Sequence, residues 1–154
     1  MSVKQTILIS FAFITALCLA SACSLKDDAA VESCARSFGQ NYFNLRLKQA
    51  SALCTDRSYK WIEFHASNIS QNDVDVLNAQ TDSALCDIDD IDIDGDSARV
   101  KMTVRNFLLC DSIGCPGRMC KEGKCRLTLR KEGETWKVDL DGPVTKTEEG
   151  CSIN

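Results

Sequence analysis

The spacing of apolar residues changes about halfway along the chain. In the first half, apolar side chains recur at intervals of three and four over residues 28–50, which predicts one amphipathic helix with Gly39 as a weak point inside it. Residues 48–54 either continue this helix or begin a second one. The first half is therefore predicted to be helical.

Two further helix starts follow. Thr55 and Asp56 are suited to cap a helix, because short polar side chains satisfy the free amides at a helix N-terminus. Ser70, with Asp73 three residues later, has the pattern of a capping box. This pattern predicts a short helix near residues 71–79.

In the second half, apolar and polar residues alternate, as in half-buried strands. Residues 88–93 and 98–104 predict a β-hairpin, with a turn signal at Asp94-Gly95 between them. Residues 125–131 predict a third strand and 135–140 a fourth. Helices followed by an antiparallel meander predict an α+β fold, with N-terminal helices packed on a four-stranded antiparallel sheet.

The first residues have the order of an export signal. Lys4 is positively charged, residues 7–19 are an apolar run too short to span a bilayer, which takes about 20 residues, and residues 20–22 are small. The small residues end at Cys23, and this junction resembles a lipobox, although Ala20 stands where leucine is usual. The resemblance implies that a lipid is attached to Cys23.

Three segments are predicted from this reading: a lipoprotein signal peptide over 1–22, a lipid-anchored linker over 23–29 and a single domain over 30–154. The alternative is ordinary cleavage after Ala22, with Cys23 left as a thiol or disulfide partner. A lysine followed by two acids at 26–28 resembles a surface-export signal of some Gram-negative lipoproteins, and it also suits a helix cap. We expect the protein to be exported and lipid-anchored to the outer membrane, on either face.

Ten cysteines in 154 residues are many for one domain. Removing Cys18 with the signal and assigning Cys23 to lipid leaves an even set of eight, which an oxidising compartment would pair in up to four disulfide bonds. These eight are Cys34, Cys54, Cys86, Cys110, Cys115, Cys120, Cys125 and Cys151. The domain is therefore predicted to be disulfide-braced.

Four of these cysteines recur every five residues between 110 and 125. A hairpin turning at Gly117-Arg118 would place Cys115 opposite Cys120 and Cys110 opposite Cys125, at distances that suit disulfide bonds. The other four, Cys34, Cys54, Cys86 and Cys151, are paired in an order that the spacing leaves open. The alternative for 110–125 is a metal-binding module, although the CxxC pairs typical of zinc sites are missing.

A family resemblance rests on three stretches: a long first helix ending in ALCTD, the hairpin DIDIDGDSARVKMTV, and the closing CRLTLRKEGETWKVDLDG. Together they resemble small bacterial lipoproteins of unknown function with the cone-shaped, nuclear transport factor 2-like (cystatin-like) fold. The resemblance spans residues 28–141, and its best part is the closing hairpin from Leu127 to Asp139. It implies a fold and no activity.

Side chains that could carry chemistry are few. Asp90, Asp92, Asp94 and Gly95 imitate the start of a calcium loop, but Lys101 stands where the closing glutamate is needed, so we interpret them as solvent-facing positions of a hairpin. The single histidine, His65, has no partner that spacing identifies.

A pocket, if the cone holds one, is predicted to be lined by Phe38, Tyr42, Tyr59 and Trp61. The alternative is that these aromatic side chains belong to the core. A net charge of −4 argues against a nucleic-acid partner. No motif predicts a cofactor, a metal ion or a catalytic set.

The sequence therefore favours a membrane-anchored lipoprotein that binds an unknown protein or small molecule without catalysis. Two alternatives stay open, a cone-fold isomerase or lyase and the metal-binding module.

Overall fold

The computed structural model describes residues 26–110 and 116–144. The helices are α1 (26–43), α2 (Leu47–Ser51), a 3₁₀ turn (Asp56–Ser58), α3 (Tyr59–Ser67) and α4 (Gln71–Asn78), and the strands are β1 (Leu85–Asp94), β2 (Ser97–Leu109), β3 (Arg118–Glu132) and β4 (Thr135–Val138). The predicted signal peptide 1–22, the predicted lipidation residue Cys23, and the disulfide candidates Cys115 and Cys151 lie outside the described residues.

The four strands form one antiparallel sheet in the order β1-β2-β3-β4. The turns β1–β2 and β3–β4 are tight, and each contains a glycine with positive φ, Gly95 at 58° and Gly133 at 62°, which a side chain would strain. The mixed helix and four-stranded sheet confirms the predicted α+β class.

The core lies between α1 and one face of the sheet. Val31, Ala35 and Phe38 recur along one side of α1 and have no exposed surface. They pack with equally buried side chains of the sheet, Met102 of β2 and Leu129 of β3. The alternation of apolar and polar residues in β2 and β3 thus points one face inwards, as predicted.

Gly39 lies inside α1 without breaking it. A Cβ atom at this position would lie 2.9 Å from the Cys86 Sγ and 3.0 Å from the Met102 Sδ. The glycine therefore allows α1 to approach the sheet closely, which is a different role from the weak point that the sequence predicted.

The predicted helix over 28–50 is wrong at its C-terminal end. Leu45 has a φ of 55°, in the left-handed region, and the chain turns there before α2 begins. The Asn44 side chain donates to the Ala84 carbonyl at 3.1 Å and accepts from the Ala84 amide at 2.9 Å. These contacts between distant parts of the chain hold the turn, and no local sequence signal marks them.

The predicted helix near 71–79 is confirmed with its capping box. Ser70 Oγ accepts from the Asp73 amide at 3.3 Å, and the Asp73 carboxylate accepts from the Ser70 amide at 2.8 Å. No helix among residues 26–110 and 116–144 is long and apolar enough to cross a bilayer.

Residues 26–29, which the sequence analysis assigns to the linker, belong to α1. The Asp27 carboxylate accepts two bonds from Lys131 Nζ, at 2.8 and 2.9 Å, and one from Trp136 Nε1 at 3.1 Å. The start of α1 is thereby attached to the β3–β4 hairpin.

The predicted hairpin turn at Gly117-Arg118 is also wrong. β3 already begins at Arg118 and pairs with β2, so Cys125 lies opposite Met102, and Cys110 follows the last paired residue of β2. Residues 118–125 continue the alternating ladder of β3, which outweighs the regular spacing of the cysteines. The predicted Cys110–Cys125 bond is not formed.

No disulfide bond joins two of the described cysteines. Cys34, Cys54, Cys86 and Cys125 carry free thiols, which corrects the prediction that they are paired. Cys120 is disulfide-bonded, and its predicted partner Cys115 lies outside the described residues. Cys34, Cys54, Cys86 and Cys125 therefore contribute to the described core by packing and not by pairing.

Candidate functional site

Three aromatic rings stack at the C-terminal end of α1. Phe38 and Tyr42 lie one turn apart with ring centroids 5.4 Å apart, and His65 of α3 stacks on Tyr42 at 4.5 Å, nearly parallel. Helix α3 brings His65 here because Ile62, three residues earlier, is buried in the core on the same helix face. Two of the four predicted pocket residues, Phe38 and Tyr42, are thus together.

Burial sets the protonation of this stack. It lowers the pKa of His65 to about 4, so the imidazole is neutral at physiological pH, and it raises the pKa of the Tyr42 hydroxyl. No described side chain hydrogen-bonds to the imidazole of His65. A neutral imidazole can accept a proton, but the described residues supply no carboxylate that would orient it as a catalytic base.

The other two predicted pocket residues lie elsewhere. Tyr59 is 42% exposed, and Trp61 packs edge-on against Phe64 with centroids 6.4 Å apart, beneath the ammonium group of Lys60 at 5.0 Å. Trp61 Nε1 is buried without a described hydrogen-bond partner. The structure therefore does not bring the four predicted pocket residues together, because Tyr59 lines the open cleft between α2 and α3 and the ring of Trp61 packs against Phe64 of its own helix.

The concave side of the sheet is nearly filled beside the stack. Phe43 and Phe107 pack edge-on with centroids 5.2 Å apart, and Val144 lies against the same recess. The recess measures about 20 Å³, which is room for a single water molecule. The side chains that line it are Phe43, Val104, Phe107, Leu109, Gly123, Lys124, Cys125 and Val144.

A larger cleft lies on the surface between α2 and α3. It has a volume of about 300 Å³, and its walls are Leu47 and Lys48 from α2 facing Tyr59, Ile62 and Ala66 from α3. The exposed ring of Tyr59 and the Lys48 ammonium give it both apolar and charged walls. It is a shallow, open site that suits a side chain of a partner better than an enclosed small molecule.

The outer face of the sheet carries paired charges. Asp90 pairs with Lys101 at 2.8 Å and Asp92 pairs with Arg99 at 2.6 Å, directly across β1 and β2. The acidic run around Gly95 is thus the solvent-facing part of a hairpin, as predicted. Within the described residues, no group of three or more His, Cys, Asp or Glu side chains is arranged to hold a metal ion.

One charged cluster around a buried carboxylate was missed by sequence reasoning. The Asp139 carboxylate, whose side chain has no exposed surface, accepts two bonds from Arg57, one from Thr55 at 2.9 Å and one from Arg130 at 3.2 Å. The Arg57 guanidinium lowers the pKa of Asp139 to about 2. Arg57 lies in the 3₁₀ turn before α3, and Arg130 lies in β3. The cluster therefore joins the start of α3 and the sheet to the residue that follows β4.

Two thiols of the core are buried and donate hydrogen bonds to backbone carbonyls. The Cys34 Sγ donates to the Trp136 carbonyl at 3.2 Å and the Cys54 Sγ donates to the Ala50 carbonyl at 3.4 Å. Burial raises the pKa of Cys34 to about 11 and that of Cys54 to about 12. These thiols are protonated at neutral pH, which is the opposite of an activated nucleophile.

Comparison with known proteins adds little to this description. No family model matches the chain, and no curated protein matches it. Among solved structures, the chain is similar to a variant of Rv3472, a protein of unknown function from Mycobacterium tuberculosis, with 9% identity, a TM-score of 0.47, and coverage of 80% of this chain and 73% of that one.

Proposed function

We propose that this chain is a lipoprotein of the bacterial cell envelope, exported, cleaved before Cys23 and attached to the outer membrane by lipid on that cysteine. The observation that carries the proposal is the order of Lys4, the apolar run 7–19 and small residues that end at Cys23. The position of the fold supports it, because α1 is already present at residue 26 and its first fully buried side chain is Val31.

Intact mass of the protein from its native membranes, with and without reduction, tests the anchor. We expect a chain that begins at Cys23 and carries lipid, and a Cys23→Ser variant that loses the lipid and leaves the membrane fraction. A native chain that begins at Met1, or one that begins at Cys23 without lipid, would contradict the proposal.

For the fold family, we propose the cone-shaped, nuclear transport factor 2-like arrangement. Two features support it: the long helix α1 lies across the inner face of an antiparallel sheet, and the β3–β4 hairpin closes the core with Leu129, Trp136 and Val138. By the same resemblance, we propose a family relation to small bacterial lipoproteins of unknown function.

The domain itself, in this proposal, binds a partner without catalysis. The inner recess has room for one water molecule, whereas the cleft between α2 and α3 is about fifteen times larger and open to solvent. The chemistry of this cleft, with Tyr59 beside Lys48 and Glu63, fits a partner that brings both an apolar and a charged group.

The second candidate is a cone-fold isomerase or lyase, which the neutral, stacked imidazole of His65 favours. Assays of the purified domain on small carbonyl and lactone compounds separate the two. We expect no turnover. Turnover that is lost in a His65→Gln variant and kept in a Tyr59→Ser variant would establish the enzyme instead.

A further inference from the structure

We propose that one defined end of the domain lies against the bilayer, namely the end formed by the start of α1 and the β1–β2 and β3–β4 turns, called here the anchor end. This inference rests on the lipid at Cys23 proposed above. Only Ser24 and Leu25 separate Cys23 from residue 26, so the connection spans at most about 11 Å even when fully extended.

The start of α1 is attached rigidly to the rest of the domain. Lys131 and Trp136 donate three hydrogen bonds to the Asp27 carboxylate, and the Lys131 ammonium lowers the pKa of that carboxyl. Val31, one turn further along α1, is completely buried. A short connection to a fixed helix start leaves the domain little freedom to turn a different end towards the membrane.

Both tight turns of the sheet lie at this same end. The Lys131 amide donates to the Asp96 carbonyl at 2.8 Å, which places the β1–β2 turn beside the β3–β4 hairpin that holds Asp27. The opposite end is marked by Asn44, which bonds to Ala84 just before β1. Asp27 and Asn44 lie about 26 Å apart along the direction of α1.

The charge of the anchor end indicates which lipids it tolerates. Its charged residues are the acids Asp27, Asp28, Asp94, Asp96, Glu132 and Glu134 and the bases Lys26, Arg130, Lys131 and Lys137. Acids outnumber bases by two, so anionic headgroups would repel this end, and a zwitterionic headgroup surface is the partner that fits it. The Tyr42–His65 stack then lies at the end of α1 that is distant from the bilayer.

Position-specific quenching tests this orientation with the full precursor, produced in a Gram-negative host that lipidates it and reconstituted in phosphatidylethanolamine–phosphatidylcholine vesicles. A dye is attached through p-azidophenylalanine at Glu134, in the anchor end, or at Asp82, two residues before Ala84 at the opposite end; both positions are exposed. Asp96 and Gln80 serve as a second pair if either variant fails to fold.

We expect a lipid with a nitroxide headgroup to quench the dye at Glu134 at least about three times as strongly as the dye at Asp82, because the length of α1 separates the two positions. Inserting a Gly/Ser linker between Ser24 and Leu25 should bring the two values together. Equal or reversed quenching in protein whose mass shows lipid on Cys23 would overturn the orientation and leave the anchor standing. A mass without lipid would overturn both.

Discussion

Asp139 is a buried carboxylate that two exposed arginines hold from two directions. An Asp139→Asn variant keeps the shape of the side chain but removes the negative charge that pairs with Arg57 and Arg130. The side chains of these arginines are 59% and 56% exposed. Because breaking a buried ion pair is costly but exposed arginines recover hydration, we expect a loss of about 2 kcal/mol in the free energy of unfolding by urea at pH 7.

The same carboxylate gives this loss a pH dependence. The folded-state pKa of Asp139, about 2, lies below the ordinary value, so its stabilisation is complete above pH 4 and disappears as the pH falls towards 2. The difference between wild type and Asp139→Asn should therefore shrink over this window. Asp92→Asn, which breaks the exposed pair with Arg99, is the control and should change stability little at either pH. A difference that stays constant down to pH 2 would contradict the assignment.

His65 predicts a second acid effect in a different window. Burial lowers its folded-state pKa to about 4, below the ordinary value of 6.5, so the unfolded chain binds more protons between these values. Stability should fall as the pH decreases from 6.5 to 4. A His65→Phe variant keeps the stack on Tyr42 and should flatten the urea midpoint over this range.

The imidazole titration of His65, followed by NMR in the wild type, provides the independent measurement. A midpoint near 4 would support a partly buried ring to which no described side chain hydrogen-bonds. A midpoint near 6.5, together with an unchanged pH profile in His65→Phe, would show that water reaches the ring freely.

Among the elements, α1 depends on one glycine for its distance from the sheet. Gly39→Ala improves helix propensity by about 1 kcal/mol, yet its Cβ would lie within 3.0 Å of both Cys86 and Met102. We expect the steric cost to exceed the gain and to lower the free energy of unfolding by about 1–2 kcal/mol. Gly142→Ala, where no atom lies within 4 Å of the added Cβ, is the matched control and should be neutral.

A double variant separates crowding from other causes at this position. Cys86→Ala removes the nearest sulfur, so combining it with Gly39→Ala should cost less than the sum of the two single changes. Additive costs would show that contact with Cys86 is not the reason for the glycine.

Local signals predicted most of the elements, and contacts between distant residues decided the rest. The capping box at Ser70 and the alternation in β2 are local patterns, and both are present in the structure. The break at Leu45 depends on the bonds between Asn44 and Ala84, forty residues away, and no window of sequence contains them. The spacing of cysteines misled the prediction of the 110–125 hairpin, because packing of alternate residues in β3 is worth more than the symmetry of their positions.

The candidate site was less predictable than the fold for a related reason. Helical spacing groups aromatic residues within one helix, but it does not say which helix a ring will meet. The contact of Tyr42 with His65 joins α1 to α3, whereas Tyr59 of α3 is exposed and Trp61 packs against Phe64 of its own helix. No sequence pattern predicts the cluster around Asp139, because a single acid at the end of a strand forms no motif. Its partners Arg57 and Arg130 come from two other elements.

For the molecule as a whole, the four free thiols must be reconciled with the export to an oxidising compartment that we propose. Burial offers a physical answer: Cys34, Cys54, Cys86 and Cys125 are buried, and burial raises the pKa of Cys86 and Cys125 to about 12. A thiol that stays protonated and out of contact with solvent reacts slowly with oxidants and disulfides. In this view, packing protects these cysteines, and pairing is not required.

Alkylation with a maleimide, read by peptide mass, tests this protection. We expect all four core cysteines to stay unmodified in the native protein and to react completely in urea without a reductant, since only unfolding exposes them. Leu85→Cys supplies the control, because position 85 is half exposed beside buried Cys86 on the same strand, and its thiol should react at once. Core cysteines that resist alkylation even in urea would show that they are paired in the cell. If these four cysteines are paired, reduction of their disulfide bonds should sharply lower the free energy of unfolding. If they act by packing alone, reduction should leave their contribution to the free energy of unfolding unchanged.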